Sequence, residues 1–215
     1  MIHPDTELRF ISPTVGWGVV ATRLIPAGTI TWAMDSLDQI LDPAFVTHLI
    51  PELQAQVTRY AYLDGHGKLV LSWDHARFVN HSCDPNCIGA WMDFEMAIRD
   101  IHPGEELTDD YGALNIETTF DCMCRTPQCR GRVSPEDVLQ LWPRWDATLH
   151  QVIPTIGDVK QPLWNILTPE VRAEVENAIA NPGMIPSVKG HFYPTQWSPV
   201  APGGGNGSQP PAAIA

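Results

Sequence analysis

The sequence predicts a mainly β body of short strands, with α-helices added toward its C-terminal end. Three observations carry this. Twenty prolines and sixteen glycines in 215 residues favour loops and short strands over long helices. Up to about residue 131 the apolar runs are short and broken by Gly, Pro and Asp. Beyond that point come two helix starts, Ser134-Pro135-Glu136-Asp137 and Thr168-Pro169-Glu170. With 44% hydrophobic residues, the chain can bury one core of roughly 100–150 residues plus an appendage.

Taken in order, Val15 to Leu24 reads as a loop and then a strand, and Thr29 to Ala33 as a strand. Asp42-Pro43 opens a helical stretch toward Tyr60, with Phe45, Leu49, Leu53 and Val57 at spacing four. Tyr60 to Leu63 and Lys68 to Trp73 read as strands around an Asp64-Gly65-His66-Gly67 turn. Trp91 to Asp100 is a further strand, with Met92, Phe94, Met96 and Ile98 alternating. In the segment 133–196, Ser134 supplies a capping hydroxyl, Pro135 the first helical position, and the acids face the positive end. Val138, Leu139, Leu141 and Trp142 follow until Pro143 interrupts. The second start leads into Val171, Val175 and Ile179, and Asn181-Pro182-Gly183 ends that helix. The stretch 197–215 is rich in Pro, Gly, Ser and Ala and is expected to be a flexible tail.

A net charge of −12 excludes nucleic-acid binding through a general basic surface. It attracts a basic partner at long range, although solubility alone also accounts for it. Met1-Ile2-His3-Pro4-Asp5 lacks the basic start and apolar run of a secretory signal. No stretch reaches the roughly 18–20 apolar residues of a membrane span. A soluble intracellular protein is expected, cytoplasmic, or nuclear or chromatin-associated in a eukaryote.

Five cysteines, an odd count, argue against a complete disulfide framework. Three of them, Cys122, Cys124 and Cys129, form C-x-C-x4-C. Thiolates on so tight a loop suit tetrahedral zinc, which needs four ligands at about 2.3 Å. The fourth must come from Cys83 or Cys87. Four thiolates leave no position for water, so such a site is structural. The alternatives are free buried thiols or a redox pair, against which the absence of C-x-x-C counts.

Three further segments matter: Gly16-Trp17-Gly18-Val19 with Ile25-Pro26-Ala27-Gly28; Arg77-Phe78-Val79-Asn80-His81-Ser82-Cys83-Asp84-Pro85-Asn86-Cys87; and Pro103-Gly104-Glu105-Glu106-Leu107-Thr108-Asp109-Asp110-Tyr111-Gly112. In this order, followed by the cysteine loop, they resemble the SET-domain protein-lysine methyltransferases with a post-SET zinc segment. The resemblance runs from about residue 8 to 132. It implies the β-clip fold of short curved sheets, in which the Asn80-His81 strand and the Tyr111 segment meet in a knot-like crossing. It implies a SET domain over 1–115 with a variable insert at about 34–60, a post-SET segment over 116–132 and a helical extension over 133–196. That extension is expected to cover the core or shape the substrate groove. A cysteine-rich pre-SET segment is not present before Cys83. The resemblance selects Cys83 as the fourth zinc ligand and leaves Cys87 as a packed residue.

The implied reaction moves methyl groups from S-adenosylmethionine to a lysine amine of a basic protein by in-line displacement, so that positioning and electrostatics supply most of the catalysis. By resemblance, Gly16, Trp17, Gly18, Asn80 and His81 contact the methyl donor, His81 through its backbone. Tyr111 orients the amine and also borders the donor. Phe120 closes over the donor when the cysteine loop docks. Tyr60 matches either a family aromatic near the donor or a packing residue. Arg77 pairs an acid, and Phe78 belongs to the core. Many relatives in that family carry Tyr or Phe two residues before the catalytic tyrosine, where this chain has Asp109. Asp109 either holds an ammonium group or faces solvent, so the number of methyl groups added stays open. The rival reading is an inactive module that binds S-adenosylmethionine and basic peptides; a third makes the C-terminal helices the functional part.

Overall fold

The computed structural model describes residues 1–90 and 93–193. Trp91 and Met92, expected to begin a strand, and the expected tail lie outside the described residues.

Strand β1 (Thr6–Ser12) and β2 (Gly16–Ala21) form an antiparallel hairpin whose register shifts between Phe10 and Ser12. Gly16 leaves the turn at φ 85°, a conformation that glycine adopts without strain. Val19, Val20 and Ala21 of β2 are buried, whereas β1 lies half-buried to exposed throughout. Leu8 and Phe10 alternate with Glu7 and Arg9 along β1, yet both stay exposed. β3 (Ile30–Ala33) is wholly buried.

Residues 39–71 hold three strands and two short helices. β4 (Gln39–Leu41), β5 (Tyr62–Leu63) and β6 (Leu69–Leu71) pair antiparallel in the order β4-β6-β5. The Asp64–Gly67 turn closes with the Asp64 N–H donating to the Lys68 carbonyl at 2.8 Å. The single helix expected from 42 to 60 is two, α1 (Pro43–Val46) and α2 (Pro51–Tyr60). Ile50 is extended at φ −63°, ψ 152°, as a residue before proline prefers, and Pro51 restarts the helix. The restart resets the phase: Val46 and Val57 are buried with Leu63 and Leu69, while Phe45 and Leu53 are exposed.

β7 (Asn80–His81), β8 (Cys87–Ala90), β9 (Phe94–Ala97), β10 (Thr108–Asp109), β11 (Phe120–Asp121) and β12 (Arg132–Val133) follow. β3, β9 and β8 form an antiparallel sheet in that order, and β11 pairs antiparallel with β12 to close the base of the cysteine loop. β7 and β10 pair in parallel, Thr108 opposite Asn80 and Asp109 opposite His81. This brings together the two segments that the resemblance makes cross.

Helix α3 (Asp137–Val152) runs unbroken through Pro143. Proline there removes one N–H bond, but Trp145, Leu149 and Val152 beyond it are buried, and their packing outweighs the loss. The expected Ser134 cap is also corrected: Glu136 stands at the cap in helical geometry with no side-chain bond, and the Ser134 hydroxyl donates instead to Asp137 Oδ1 at 3.2 Å. α4 (Pro169–Ala180) starts as expected, with the Val171 N–H donating to Thr168 Oγ1 at 3.3 Å.

The two helices do not form a separate body. Trp145, Leu149, Val152 and Val175 share one buried cluster with Ile30, Ile88, Phe94 and Met96 of the central sheet. Gln161, on the loop between them, receives the Ile30 N–H at 2.9 Å and donates to the Gly28 carbonyl at 2.7 Å. It thereby satisfies backbone groups at the start of β3.

Candidate active site and cysteine cluster

Two-residue strands cannot hold a site through ladder bonds alone, and here side-chain amides supply the rest. Asn80 Nδ2 donates to the Trp17 carbonyl at 2.9 Å and to Glu106 Oε1 at 2.7 Å, joining β2, β7 and the segment before β10. Asn86, 1% exposed, donates through Nδ2 to the Glu106 carbonyl at 2.7 Å and accepts the Thr108 N–H at 2.8 Å. Gly18 is required for the first contact: a Cβ there would sit 2.2 Å from Glu106 Oε1 and 2.8 Å from Ile11 Cγ1. Burial raises the Glu106 carboxyl above its ordinary range, and the Asn80 bond works against that rise.

His81 joins the strand pair to the cysteines. Its Nδ1 accepts the Tyr111 N–H at 3.1 Å, so the ring hydrogen belongs on Nε2, which faces Cys83 Sγ at 3.3 Å. Burial holds His81 below the usual imidazole range, against the pull of Asp110. Its ring lies 5.5 Å from Tyr111 and 5.8 Å from Phe120, and those two are 6.2 Å apart. The Tyr111 hydroxyl donates to the Val79 carbonyl at 2.6 Å. Burial first, then the charges of Asp109, Glu95 and Glu106, push the phenol pKa well up, so the hydroxyl stays protonated.

Asp109 is not the solvent-facing acid that the sequence allowed. It is 1% exposed; Oδ1 accepts the Asp110 N–H at 2.7 Å, and Oδ2 is buried without a donor among the described residues. The Glu95 carboxyl acts on it as a second acid, so the two oppose each other's ionisation. Burial, then the Glu95 charge, raises Asp109; burial pushes Glu95 up to about 7.

The Sγ atoms of Cys83, Cys122, Cys124 and Cys129 lie within 4.8 Å of one another, with Cys83 and Cys122 3.6 Å apart. Four sulfurs bound tetrahedrally at about 2.3 Å lie about 3.8 Å apart, so the donor set and spacing fit zinc. The N–H groups of Cys124, Arg130 and Gly131 point at Cys122, Cys83 and Cys129 Sγ at 3.4–3.5 Å, outer-shell bonds suited to thiolates. Cys87 takes no part: it is 1% exposed, packed in the core, and donates to Asn86 Oδ1.

A cavity of about 470 Å³ opens between these parts, with Asn80, His81 and Glu106 on one wall and Met123, Cys124 and Arg125 on the other. Gly16, Trp17, Gly18, Tyr60, Tyr111 and Phe120 are not in its lining. Trp17 and Gly18 reach it through Asn80 and Glu106, and Tyr111 and Phe120 through the His81 ring. Tyr60 packs edge-on against Phe78 at 5.2 Å. Phe78 is half-buried, and Arg77 donates to the Asp74 and Trp73 carbonyls where an acid was expected.

Sequence reasoning assigned no role to Glu106, Asn86, Glu95 or Arg130. The first two lie inside the motif strings and were within reach; Glu95 and Arg130 gain meaning only from what the fold sets beside them.

The cysteine loop thus faces the parallel β7-β10 pair across a cavity, with the half-buried Tyr111 behind the His81 ring. Residues 16–112 match the SET domain. It is 33% identical over 143 residues to histone-lysine N-methyltransferase ash1 of Drosophila melanogaster, covering 60% of this chain and 6% of that protein. It is 46% identical over 63 residues to the H3 lysine-4 specific histone-lysine N-methyltransferase of Schizosaccharomyces pombe, covering 26% of this chain and 7% of that protein. The chain thus spans less than a tenth of the length of these relatives. A solved structure of KRYPTONITE in complex with mCHH DNA, an H3(1-15) peptide and SAH aligns at 24% identity and TM-score 0.43, over 62% of this chain and 30% of that one. Among the described residues no helix is long and apolar enough to cross a membrane.

Proposed function

We propose that this chain methylates a lysine side chain of a basic, histone-class protein, with S-adenosylmethionine as donor. The observation that carries this reading is that Asn80, His81 and the cysteine loop line one cavity, with the Tyr111 turn held behind the His81 ring. S-adenosylmethionine supplies an electrophilic methyl group when bound. Asn80 and Glu106 hold the wall against which the donor rests, and the polar groups around them suit a cation. Tyr111, kept protonated and tethered to the Val79 carbonyl, offers its oxygen lone pairs to the incoming amine and fixes its direction. Cys83, Cys122, Cys124 and Cys129 are suited to hold a zinc ion that pins the Cys122–Cys129 loop as the opposite wall. The net charge of −12 favours encounter with a basic substrate.

The test is transfer of labelled methyl groups from S-adenosylmethionine to histones and other basic proteins, with calorimetry of donor binding alongside. Tyr111→Phe is expected to lower transfer at least ~10-fold, the scale of a positioned catalytic group. Equal rates for variant and wild type remove Tyr111 from the mechanism. Donor binding without transfer to any basic protein favours the inactive binding module, and no donor binding overturns both readings.

A further inference from the structure

Arg130 directly follows the last cysteine of the cluster, and its two ends face different parts of the site. Its backbone N–H points at Cys83 Sγ at 3.4 Å. Its guanidinium forks onto Asp110, Nη1 to Oδ2 at 2.8 Å and Nη2 to Oδ1 at 2.7 Å. Nη2 also lies 3.0 Å from Asp137 Oδ2 at the start of α3. Asp110 is the residue before Tyr111, and its Oδ1 accepts the Gly112 N–H at 3.0 Å. That bond caps the one-turn helix Tyr111–Ala113. The region is closed: a Cβ on Gly112 would stand 3.0 Å from Asp137 Cβ and 3.1 Å from Arg130 Nη2. The side chains of Asp110 and Arg130 are 3% and 18% exposed, so the pair is shielded from solvent. A two-pronged contact on one carboxylate is a geometry that arginine has and lysine lacks.

We infer that Arg130 is a positioning residue that transmits metal occupancy of the cysteine cluster to Tyr111. With the four thiolates gathered on a metal, the Cys129-Arg130 backbone is fixed, the guanidinium holds Asp110, and Asp110 holds the turn that carries Tyr111. With the thiolates released, the fork loses its anchor and the turn loosens, even where the rest of the fold persists. The inference rests on the reading of Tyr111 as the residue that orients the amine, and it goes further by making the metal a condition of that orientation. The alternative use of Arg130 is to staple α3 through Asp137, and the two uses separate by mutation.

The experiment uses the full chain. Zinc content, amide hydrogen exchange at Gly112 and steady-state transfer are measured for wild type, Arg130→Gln and Asp137→Asn. Arg130→Gln should keep its zinc, yet exchange at Gly112 should rise at least ~10-fold, the scale of a lost charge-assisted hydrogen bond. Chelating zinc from wild type should produce the same rise, and chelation should add nothing to Arg130→Gln. kcat should fall with little change in the KM for S-adenosylmethionine, and Arg130→Gln should cost nothing further in a Tyr111→Phe background. Asp137→Asn, which leaves the fork in place, should exchange like wild type. Should Arg130→Gln not fold, Arg130→Lys, which keeps the charge without the fork, is read in the same way. Wild-type exchange in zinc-loaded Arg130→Gln, or a rise of equal size in Asp137→Asn, overturns the inference. If exchange behaves as stated while no variant, wild type included, transfers methyl groups, the link stands and the methyltransferase reading falls.

Discussion

Glu95→Gln is expected to stabilise the protein at pH 8 relative to wild type and to change little at pH 5. The cause is the acid pair between β9 and β10. Asp109 is buried and Glu95 half-buried, the Glu95 charge opposes ionisation of Asp109, and the other charge acting on Asp109 is Asp110, again an acid. Among the described residues no salt bridge reaches either carboxyl. The pair therefore retains a proton in the folded state at pH values where the unfolded chain has released it. The Glu95 pKa rises from an ordinary 4.5 to about 7, chiefly through burial. Between those values the folded state binds more protons than the unfolded one, so stability falls as pH rises through that window. At 1.36 kcal/mol per pKa unit, the full rise corresponds to about 3 kcal/mol lost once the pH exceeds 7. A glutamine amide fills the same space beside Asp109 and carries no titrating proton. The assay is urea unfolding of both proteins, zinc-saturated, at pH 5, 6, 7 and 8. The free-energy difference between them should grow by about 3 kcal/mol in favour of the variant across the series. Parallel curves for the two proteins would show that the Glu95 carboxyl is not raised in the folded state.

Two other perturbations address the supports of the site. Wild type should carry about one zinc per chain, and Cys124→Ala should release it and loosen the Cys122–Cys129 loop, because a structural metal contributes directly to folding; full metal content in that variant, measured by elemental analysis, would break the site assignment. Trp145→Ala should cost about 3–5 kcal/mol in chemical unfolding, since the indole fills the cluster shared with Ile30 and Phe94; a cost under about 1 kcal/mol, the scale of a surface change, would mean that α3 is an ornament to the sheet and not part of its core.

What was legible in the sequence follows the range of the interactions. β2 and β3 announce themselves by buried β-branched runs, the Asp64–Gly67 turn by its residues, and α4 by Thr168-Pro169, because in each case the deciding contacts lie within a few positions. The cysteine spacing and the two motif strings named the parts of the site. The first strand read from the sequence begins after Val15 and leaves β1 out, although Glu7, Leu8, Arg9 and Phe10 alternate. The 42–60 helix was mis-phased because spacing four was carried across Pro51, where the backbone restarts. Pro143 was read as a stop because its local cost is visible in sequence, whereas the burial of Trp145 and Leu149 that overrides it is not. Glu95 and Arg130 were silent for the same reason: one is an acid in a strand and the other a cation after a cysteine, until tertiary structure sets them against Asp109 and Asp110.

The brevity of the strands explains why so much of this site is held by polar side chains. A two-residue strand such as β7 or β10 forms few ladder bonds, so the order of the site must come from elsewhere. Asn80, Asn86, Arg130 and Gln161 each hold two or more groups from distant segments, and the cysteine cluster gathers four sulfurs in the same manner. Such ties are directional, so they fix angles that apolar packing leaves soft. They are also fragile in a particular way. Removing one leaves the apolar clusters of the core intact while releasing the segment it oriented. Loss of function without loss of fold is therefore the expected signature of substitutions at these positions, whereas substitutions such as Trp145→Ala should lose both together.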